Sequence, residues 1–153
     1  MRHIDVFNGD ADGLCALHQL RLAQPVQSEL VTGVKRDIKL LDRVAAGPHD
    51  RVTVLDISLD SNRSALMRLL DAGARVEYFD HHHAGDVPQS ANLVAHIDLS
   101  ADVCTSILVD RHLKCQHRLW SIPAAFGDNL AASALALPAS VGLVLVQIEQ
   151  MEP

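Results

Sequence analysis

Short apolar runs rich in β-branched residues alternate along the first hundred positions with longer stretches whose apolar residues recur at helical spacing. The short runs predict strands at 3–7, 29–34, 51–55, 75–79 and 93–97. The longer stretches predict helices at 13–23, 37–46, 61–72 and 103–113, the third of them capped by Asp60 or Ser61. This alternation is typical of parallel βαβ units, so we expect an α/β fold: a doubly wound, mostly parallel five-stranded sheet with helices on both faces.

The last part of the chain departs from this pattern. Residues 131–153 contain no Lys or Arg, and Leu130–Ile148 is an uncharged run that Pro138 and Gly142 interrupt. Such a run is long enough to cross a bilayer but lacks flanking cations. Three interpretations stay open: a helix that covers the core, a membrane span, or the unsettled end of a truncated chain. We expect one domain over residues 1–130, an apolar tail over 131–153, and no stable membrane association.

Composition and charge narrow the class of protein. Of 153 residues, 48% are hydrophobic and only 3% aromatic, and the net charge is −6. A broad basic nucleic-acid surface and aromatic base-stacking platforms are therefore not expected. The three cysteines form no CxxC pair, and no positively charged, apolar leader precedes the first strand, so we expect a reduced, cytoplasmic protein.

Aspartates and histidines recur where predicted strands pass into loops. They lie in Asn8-Gly9-Asp10-Ala11-Asp12-Gly13, at Asp56, in Asp80-His81-His82-His83, and in Gly127-Asp128-Asn129. The carboxyl ends of parallel strands share one crevice. So many carboxylates in one crevice would repel each other and take up protons unless a cation intervened. A site for divalent metal explains the pattern, and the oxygen ligands suit Mg²⁺ or Mn²⁺.

Each segment also has a simpler interpretation. Asp10 or Asp12 could merely cap the following helix, and Asp56 could cap the helix that begins near Ser61. The histidines could form a solvated loop. Neighbouring side chains diverge, so one imidazole could bind metal while the next faces the substrate, with Asp80 orienting a ring. We expect His83 to take no part.

Together these motifs closely resemble the DHH phosphoesterases, a family named after its Asp-His-His motif. Asp-Ala-Asp-Gly after the first strand, a strand-end Asp56 and Asp80-His81-His82 match in order and separation over about residues 1–130. The family includes RecJ-like single-strand exonucleases, oligoribonucleases, cyclic-dinucleotide phosphodiesterases and family II pyrophosphatases. The resemblance implies a metal-dependent phosphoesterase that hydrolyses phosphodiester bonds, in short oligonucleotides or a related substrate, by a two-metal mechanism.

The resemblance also implies a set of metal ligands. Two divalent cations, usually Mn²⁺, would lie in the crevice. Asp10 would bind the first cation and Asp12 the second, with Asp56 bridging both. His81 would join the second cation.

Further roles follow from the same resemblance. His82 would contact the phosphate, with Asp80 behind it. The fourth family motif would be supplied by Asp128, with Asp98 as the rival position. Cys104-Thr105-Ser106 resembles the small-residue helix start that packs between the third and fourth motifs.

Two departures from the family pattern matter. Many members carry a histidine four positions before the first motif aspartate, where this chain has Val6, so Asn8 or Asp5 would have to compensate. Family members also continue into a C-terminal substrate-binding domain, and nothing after Asp128 resembles it. The alternative function is therefore a truncated, non-catalytic domain that binds metal or nucleotide. The expected partner is a phosphorylated small molecule or a short single-stranded nucleic acid, and a homo-oligomer formed through the apolar tail stays open.

Overall fold

The computed structural model describes residues 1–137. Five strands form one sheet in the order β2-β1-β3-β4-β5, and every pair of neighbours is parallel. The strands are β1 (His3–Asn8), β2 (Glu29–Gly33), β3 (Arg51–Leu55), β4 (Arg75–Asp80) and β5 (Leu93–Ile97). The chain leaves β1 for β2 on one side and later returns to place β3 on the other side. The strand order therefore reverses beside β1, which is where ligands bind in open α/β sheets.

Helices cover both faces of the sheet, which confirms the predicted fold class. The α-helices are α1 (Ala11–Ala23), α2 (Leu59–Asp71), α3 (Thr105–His112), α4 (Ser121–Gly127) and α5 (Ala131–Ala136). Two 3₁₀ turns, Leu40–Arg43 and Arg118–Trp120, complete the described part of the chain.

The alternation of side chains along the strands builds two cores. Val6, Val54 and Tyr78 point to the face covered by α2 and the first 3₁₀ turn. On the opposite face Phe7, Leu55 and Phe79 pack against residues of α1 and α3. Because both faces of the central strands are buried, these strands are nearly continuous apolar runs, which is typical of parallel sheets.

Several predicted boundaries shift, and one predicted helix is wrong. The segment 37–46 forms only the 3₁₀ turn Leu40–Arg43, because Leu40 and Leu41 are buried while residues 34–37 are used in a turn. The prediction that Asp60 or Ser61 caps the third helix is also wrong. The Ser58 hydroxyl accepts the hydrogen bond from the Ser61 backbone N–H, so α2 begins earlier.

The apolar end of the chain lies mostly outside the described residues. Its described part includes the short helix α5, which packs against α4 and buries Ala134. Within residues 1–137 no helix has the length and apolar character needed to cross a membrane. The predicted interruptions at Pro138 and Gly142 fall outside the described residues.

Candidate metal centre

The carboxyl ends of β1, β3 and β4 bring most of the predicted site residues to one crevice. Asn8 is the last residue of β1, Asp56 directly follows β3, and Asp80 is the last residue of β4. These three strands are neighbours in the sheet. We call the group formed by Asp10, Asp12, Asp56, His81 and Asp128 the acidic cleft.

Tight backbone packing sets the entry to α1. A Cβ atom on Gly13 would lie 2.2 Å from the carbonyl oxygen of Asn8, so no larger residue fits where the helix meets β1. Asp10 is the N-cap of α1, and its Oδ1 accepts hydrogen bonds from the N–H groups of Asp12 and Gly13 at 3.2 Å. The capping interpretation is therefore correct for Asp10. Its other oxygen, Oδ2, faces the cleft, where it lies 3.2 Å from Nζ of Lys35.

Asp12 caps a different helix. Its Oδ2 accepts a hydrogen bond from the Thr105 N–H at 2.8 Å, and its Oδ1 accepts one from the Ser106 N–H at 2.7 Å. Both donors are orphan amides at the start of α3, where the residue Cys104 supplies no side-chain cap. Asp12 is only 1% exposed. It thus joins the start of α1 to the start of α3 beneath the cleft.

Asp56 occupies the centre of the cleft in a left-handed conformation, with φ of 58°. Its backbone N–H donates to the Phe79 carbonyl at 3.0 Å, which extends the β3–β4 pairing by one residue. Its Oδ1 accepts a hydrogen bond from the Thr105 hydroxyl at 3.2 Å and lies 3.4 Å from Nε2 of His81. The interpretation of Asp56 as a helix cap does not hold, because Ser58 caps α2.

His81 is the common neighbour of three carboxylates. Its Nε2 lies 3.8 Å from Oδ2 of Asp12, 3.4 Å from Oδ1 of Asp56 and 3.5 Å from Oδ2 of Asp128. Asp12, His81 and Asp128 together place three ligand atoms within 4.8 Å of one another, as do Asp56, His81 and His82. Spacing of this kind suits a cation held between them.

Asp128, rather than its rival Asp98, is the aspartate at the cleft. It follows α4, whose last residue Gly127 lies so close to α1 that an added Cβ would be 2.8 Å from Cβ of Ala11. Asp98 instead lies after β5, where its side chain accepts a hydrogen bond from the Ser100 N–H and pairs with Arg111 at 3.3 Å.

His82 and Asp80 form a pair at the rim of the cleft. Nδ1 of His82 lies 2.6 Å from Oδ1 of the fully buried Asp80. Because Nδ1 faces this carboxylate, Nε2 is the ring nitrogen left for a ligand. The hydrogen bond to Asp80 raises the pKa of His82 above its ordinary value. His83, two residues further from the strand than His81, is exposed.

Burial or the neighbouring carboxylates raise the pKa values of several cleft residues. Burial, together with the charges of Asp12 and Asp10, raises the pKa of Asp56 to about 7. Burial lowers the pKa of His81, but its contacts with Asp56, Asp12 and Asp128 outweigh this and raise it to about 9. Burial likewise raises the pKa of Asp12. Without a cation the cleft therefore holds protons, and a divalent ion would displace them.

Lys35 is the cleft residue that the sequence analysis missed. It lies beyond β2, at the same edge of the sheet, with Nζ 3.2 Å from Asp10 and 3.8 Å from Oδ1 of Asp128. The sequence does place Lys35 directly after a predicted strand. In the structure that strand, β2, lies next to β1. A cleft of about 130 Å³ opens between Lys35, Asp56, His82 and the turn that follows β3.

The two residues proposed to replace the absent family histidine differ in position. Asp5 is buried on the face of the sheet that α1 covers. There it pairs with Arg21 at 2.5 Å and accepts a hydrogen bond from the Ser28 hydroxyl. Asp5 is therefore unavailable. Asn8 lines the cleft, and Val6 is part of the core.

The residues present fit divalent cations. Four buried oxygens of the described residues have no hydrogen-bond partner, and two of these, Oδ1 of Asn8 and Oδ2 of Asp80, lie at the carboxyl ends of β1 and β4. Buried polar atoms without a partner are costly, and Asn8 lines the cleft beside Asp10 and Asp56. The donors are aspartate oxygens with one central imidazole, a set that suits Mn²⁺ and Mg²⁺.

Comparison with known proteins places the fold among exonuclease structures. No protein-family model matches the chain, and no curated protein matches it. Among solved structures it is similar to the exonuclease RecJ bound to manganese, with 20% identity, a TM-score of 0.52 and coverage of 88% of this chain and 43% of that one. It is also similar to RecJ from Thermus thermophilus in complex with Mn²⁺, with 19% identity, a TM-score of 0.53 and coverage of 89% and 24%.

At these identities the likeness is one of fold. The chain also spans less than half the length of either RecJ structure. The class that fold and cleft define is an α/β domain whose fold is similar to part of the RecJ structures and which gathers candidate metal ligands at the carboxyl ends of its strands.

Proposed function

We propose that this protein is a metal-dependent phosphoesterase of the DHH type that hydrolyses phosphodiester bonds in a short oligonucleotide or a related substrate. The observation that carries the proposal is the position of His81, whose Nε2 lies within 3.8 Å of three carboxylates from three separate segments of the chain. The RecJ structures with the same fold are described as bound to manganese, which supports the same type of cation here.

Each residue of the cleft has a defined task in this proposal. Asp10 would hold one divalent cation and Asp12 the other, while Asp56 at the centre would bridge them. His81 and Asp128 would complete the second site, since both lie beside Asp12. When bound, the two cations would acidify water and neutralise the charge that develops on the phosphoryl group. Mn²⁺ is the preferred ion and Mg²⁺ the second.

The remaining residues would bind and orient the substrate. His82 lines the cleft with Nδ1 directed at Asp80, so in its charged form the ring can donate Nε2–H to a phosphate oxygen. Asp80 raises the pKa of His82 and so favours that charged form. Lys35 lies across the cleft from His82 and brings a second positive charge toward a phosphate. Together they would hold the phosphoryl group in the cleft by charge-assisted contacts.

Hydrolysis of an RNA dinucleotide and of bis-p-nitrophenyl phosphate with and without Mn²⁺ tests the proposal. Asp56→Asn is the decisive variant, because asparagine tolerates the left-handed backbone at this position and so preserves the fold. Loss of a bridging ligand should lower activity by about a hundredfold or more. Asp98→Asn is the matched control, since Asp98 lies after a neighbouring strand outside the cleft.

The outcomes separate catalysis from binding alone. Turnover that requires Mn²⁺, persists in Asp98→Asn and disappears in Asp56→Asn supports the phosphoesterase. Absence of turnover together with a Mn²⁺-induced rise in the melting temperature of the wild type alone indicates the non-catalytic metal-binding domain. Absence of both effects overturns the metal centre.

A further inference from the structure

A second group of metal-binding side chains lies away from the acidic cleft. Glu77 on β4, His96 on β5 and His112 on the last turn of α3 place three ligand atoms within 4.8 Å of one another. We call these three residues the edge cluster. Glu77 precedes Asp80 by three positions, which puts it about 10 Å further down the strand from the cleft.

The fold holds the two strand ligands in fixed positions. Phe79 pairs with His96 in the β4–β5 register, and the two rings stack with centroids 4.3 Å apart and planes 14° from parallel. Glu77 lies on the same face as Phe79, since they are two residues apart on one strand. Nε2 of His96 lies 3.1 Å from Oε1 of Glu77.

The third ligand comes from the helix above this face. The ring of His112 makes T-shaped contacts with the rings of Phe79 and His96, with centroids 5.1 Å and 4.8 Å apart. His112 is exposed, and the side chains of Glu77 and His96 are 45% and 26% exposed. An ion can therefore reach the cluster from solvent. Arg21, whose charge acts on Glu77, is paired with Asp5.

We propose that the edge cluster binds one zinc ion through Glu77, His96 and His112, with water as the remaining ligand. Two imidazoles and a carboxylate form a set that favours Zn²⁺ over Mg²⁺ or Mn²⁺, whereas the carboxylate-rich cleft has the opposite preference. The chain therefore has two metal sites of different chemistry.

The position of His112 on α3 gives this zinc site a structural consequence. The first turn of the same helix donates the Thr105 and Ser106 amides to Asp12 in the acidic cleft. Eight residues of helix separate the two ends by about 12 Å. Zinc that fixes the last turn of α3 to β4 and β5 would also hold the first turn against the cleft.

Titration with Zn²⁺ in an Asp56→Asn background, which removes one of the two candidate ligand groups of the cleft, tests the edge cluster by comparison with variants that lack its ligands. Calorimetry in millimolar Mg²⁺ gives stoichiometry and affinity, and visible absorption of bound Co²⁺ reports low-coordinate geometry. His112→Ala removes the exposed ligand at little cost to the fold, and Glu77→Gln removes a second ligand with the same shape. His49→Asn is the matched control, an exposed histidine at a positive φ that asparagine tolerates.

One equivalent of Zn²⁺ is expected in the Asp56→Asn protein and in its His49→Asn derivative. Addition of His112→Ala or Glu77→Gln should weaken binding by about tenfold or more. Zinc should also raise the melting temperature of the Asp56→Asn protein by more than it raises those of these two derivatives. Equal affinity in all four proteins, or no binding in the Asp56→Asn protein, would overturn the zinc site. Because turnover is not measured, this outcome is independent of the proposed phosphoesterase activity.

Discussion

Asp12 and Ser106 are joined by a hydrogen bond of 2.7 Å although 94 positions separate them in the chain. The same carboxylate also accepts the Thr105 amide. One buried side chain therefore caps α3 and serves as a candidate metal ligand. We therefore expect a change at this residue to affect both stability and the proposed metal binding.

Asp12→Asn should lower both properties. An amide can accept from only one of the two backbone donors and would turn its NH₂ group toward the other, so we expect a loss of about 1–3 kcal/mol in the free energy of unfolding. Urea denaturation without metal measures this loss, and calorimetry with Mn²⁺ measures the affinity. Asp98→Asn, which changes a half-buried aspartate outside the cleft, should leave the Mn²⁺ affinity unchanged. A destabilised variant with unaltered Mn²⁺ affinity would limit Asp12 to the capping role.

Asp80→Asn should shift the pH dependence of hydrolysis through His82. The hydrogen bond from Nδ1 to the buried carboxylate raises the pKa of His82, so the charged ring persists to higher pH. If the charged ring binds phosphate, kcat/KM falls as the pH rises through this pKa. Asp80→Asn should move that decline to lower pH, because the hydrogen bond that raises the pKa of His82 is weakened. An identical pH profile in both proteins would exclude this positioning role.

Local pattern was sufficient to predict most of the fold. The strands came from apolar runs such as Val52–Leu55, and the parallel sheet came from their alternation with helices. The segment 37–46 was predicted as a helix but forms only a 3₁₀ turn. Its conformation depends on the burial of Leu40 and Leu41 in the core and not on the spacing of its apolar residues. The cap at Ser58 was not predicted, because Asp60 and Ser61, which also favour the start of a helix, lie closer to the apolar residues at helical spacing.

The sequence predicts the candidate site mainly through the residues that lie at the carboxyl ends of strands. Asp56 and His81 follow buried strands, and parallel topology carries them to one edge. Contacts between distant segments leave no periodic trace, so the caps that Asp12 provides and the approach of Lys35 to Asp10 were not predicted. The left-handed backbone of Asp56 has no local signal either, since no glycine or turn motif precedes it.

Lys35→Met should separate substrate binding from metal binding. Lys35 is 66% exposed and lies 3.2 Å from Asp10, so it offsets part of the negative charge of the cleft. Its removal should tighten Mn²⁺ binding by a few-fold, in keeping with about 1 kcal/mol or less for an exposed ion pair. The KM for a phosphodiester should rise while kcat changes little. Lys39→Met is the control, since Lys39 is exposed and does not line the cleft. Equal effects from both variants would show that only net charge matters.

The metal-free protein should lose stability as the pH rises from 6 to 8.5. The pKa of His81 is raised from 6.5 to about 9, and that of Asp56 from 3.8 to about 7. In both cases the folded protein binds the proton more tightly than the unfolded chain, so the free energy of unfolding falls with increasing pH. The contribution of His81 is fully present below pH 6.5 and is lost as the pH passes about 9. The carboxylates with lowered pKa, such as Glu77, titrate below this window and do not offset the trend.

Mn²⁺ should counteract this loss of stability with rising pH. A cation competes with the protons on His81 and Asp56, so its stabilising effect grows as the pH rises. Melting temperatures measured from pH 6 to 8.5, with a chelator and with saturating Mn²⁺, should therefore diverge. In Asp56→Asn the melting temperature of the metal-free protein should depend less on pH between pH 6 and 7, since the amide does not titrate. Parallel curves with and without Mn²⁺ would contradict displacement of protons by metal and would show that the raised pKa values of the cleft have no connection with cation binding.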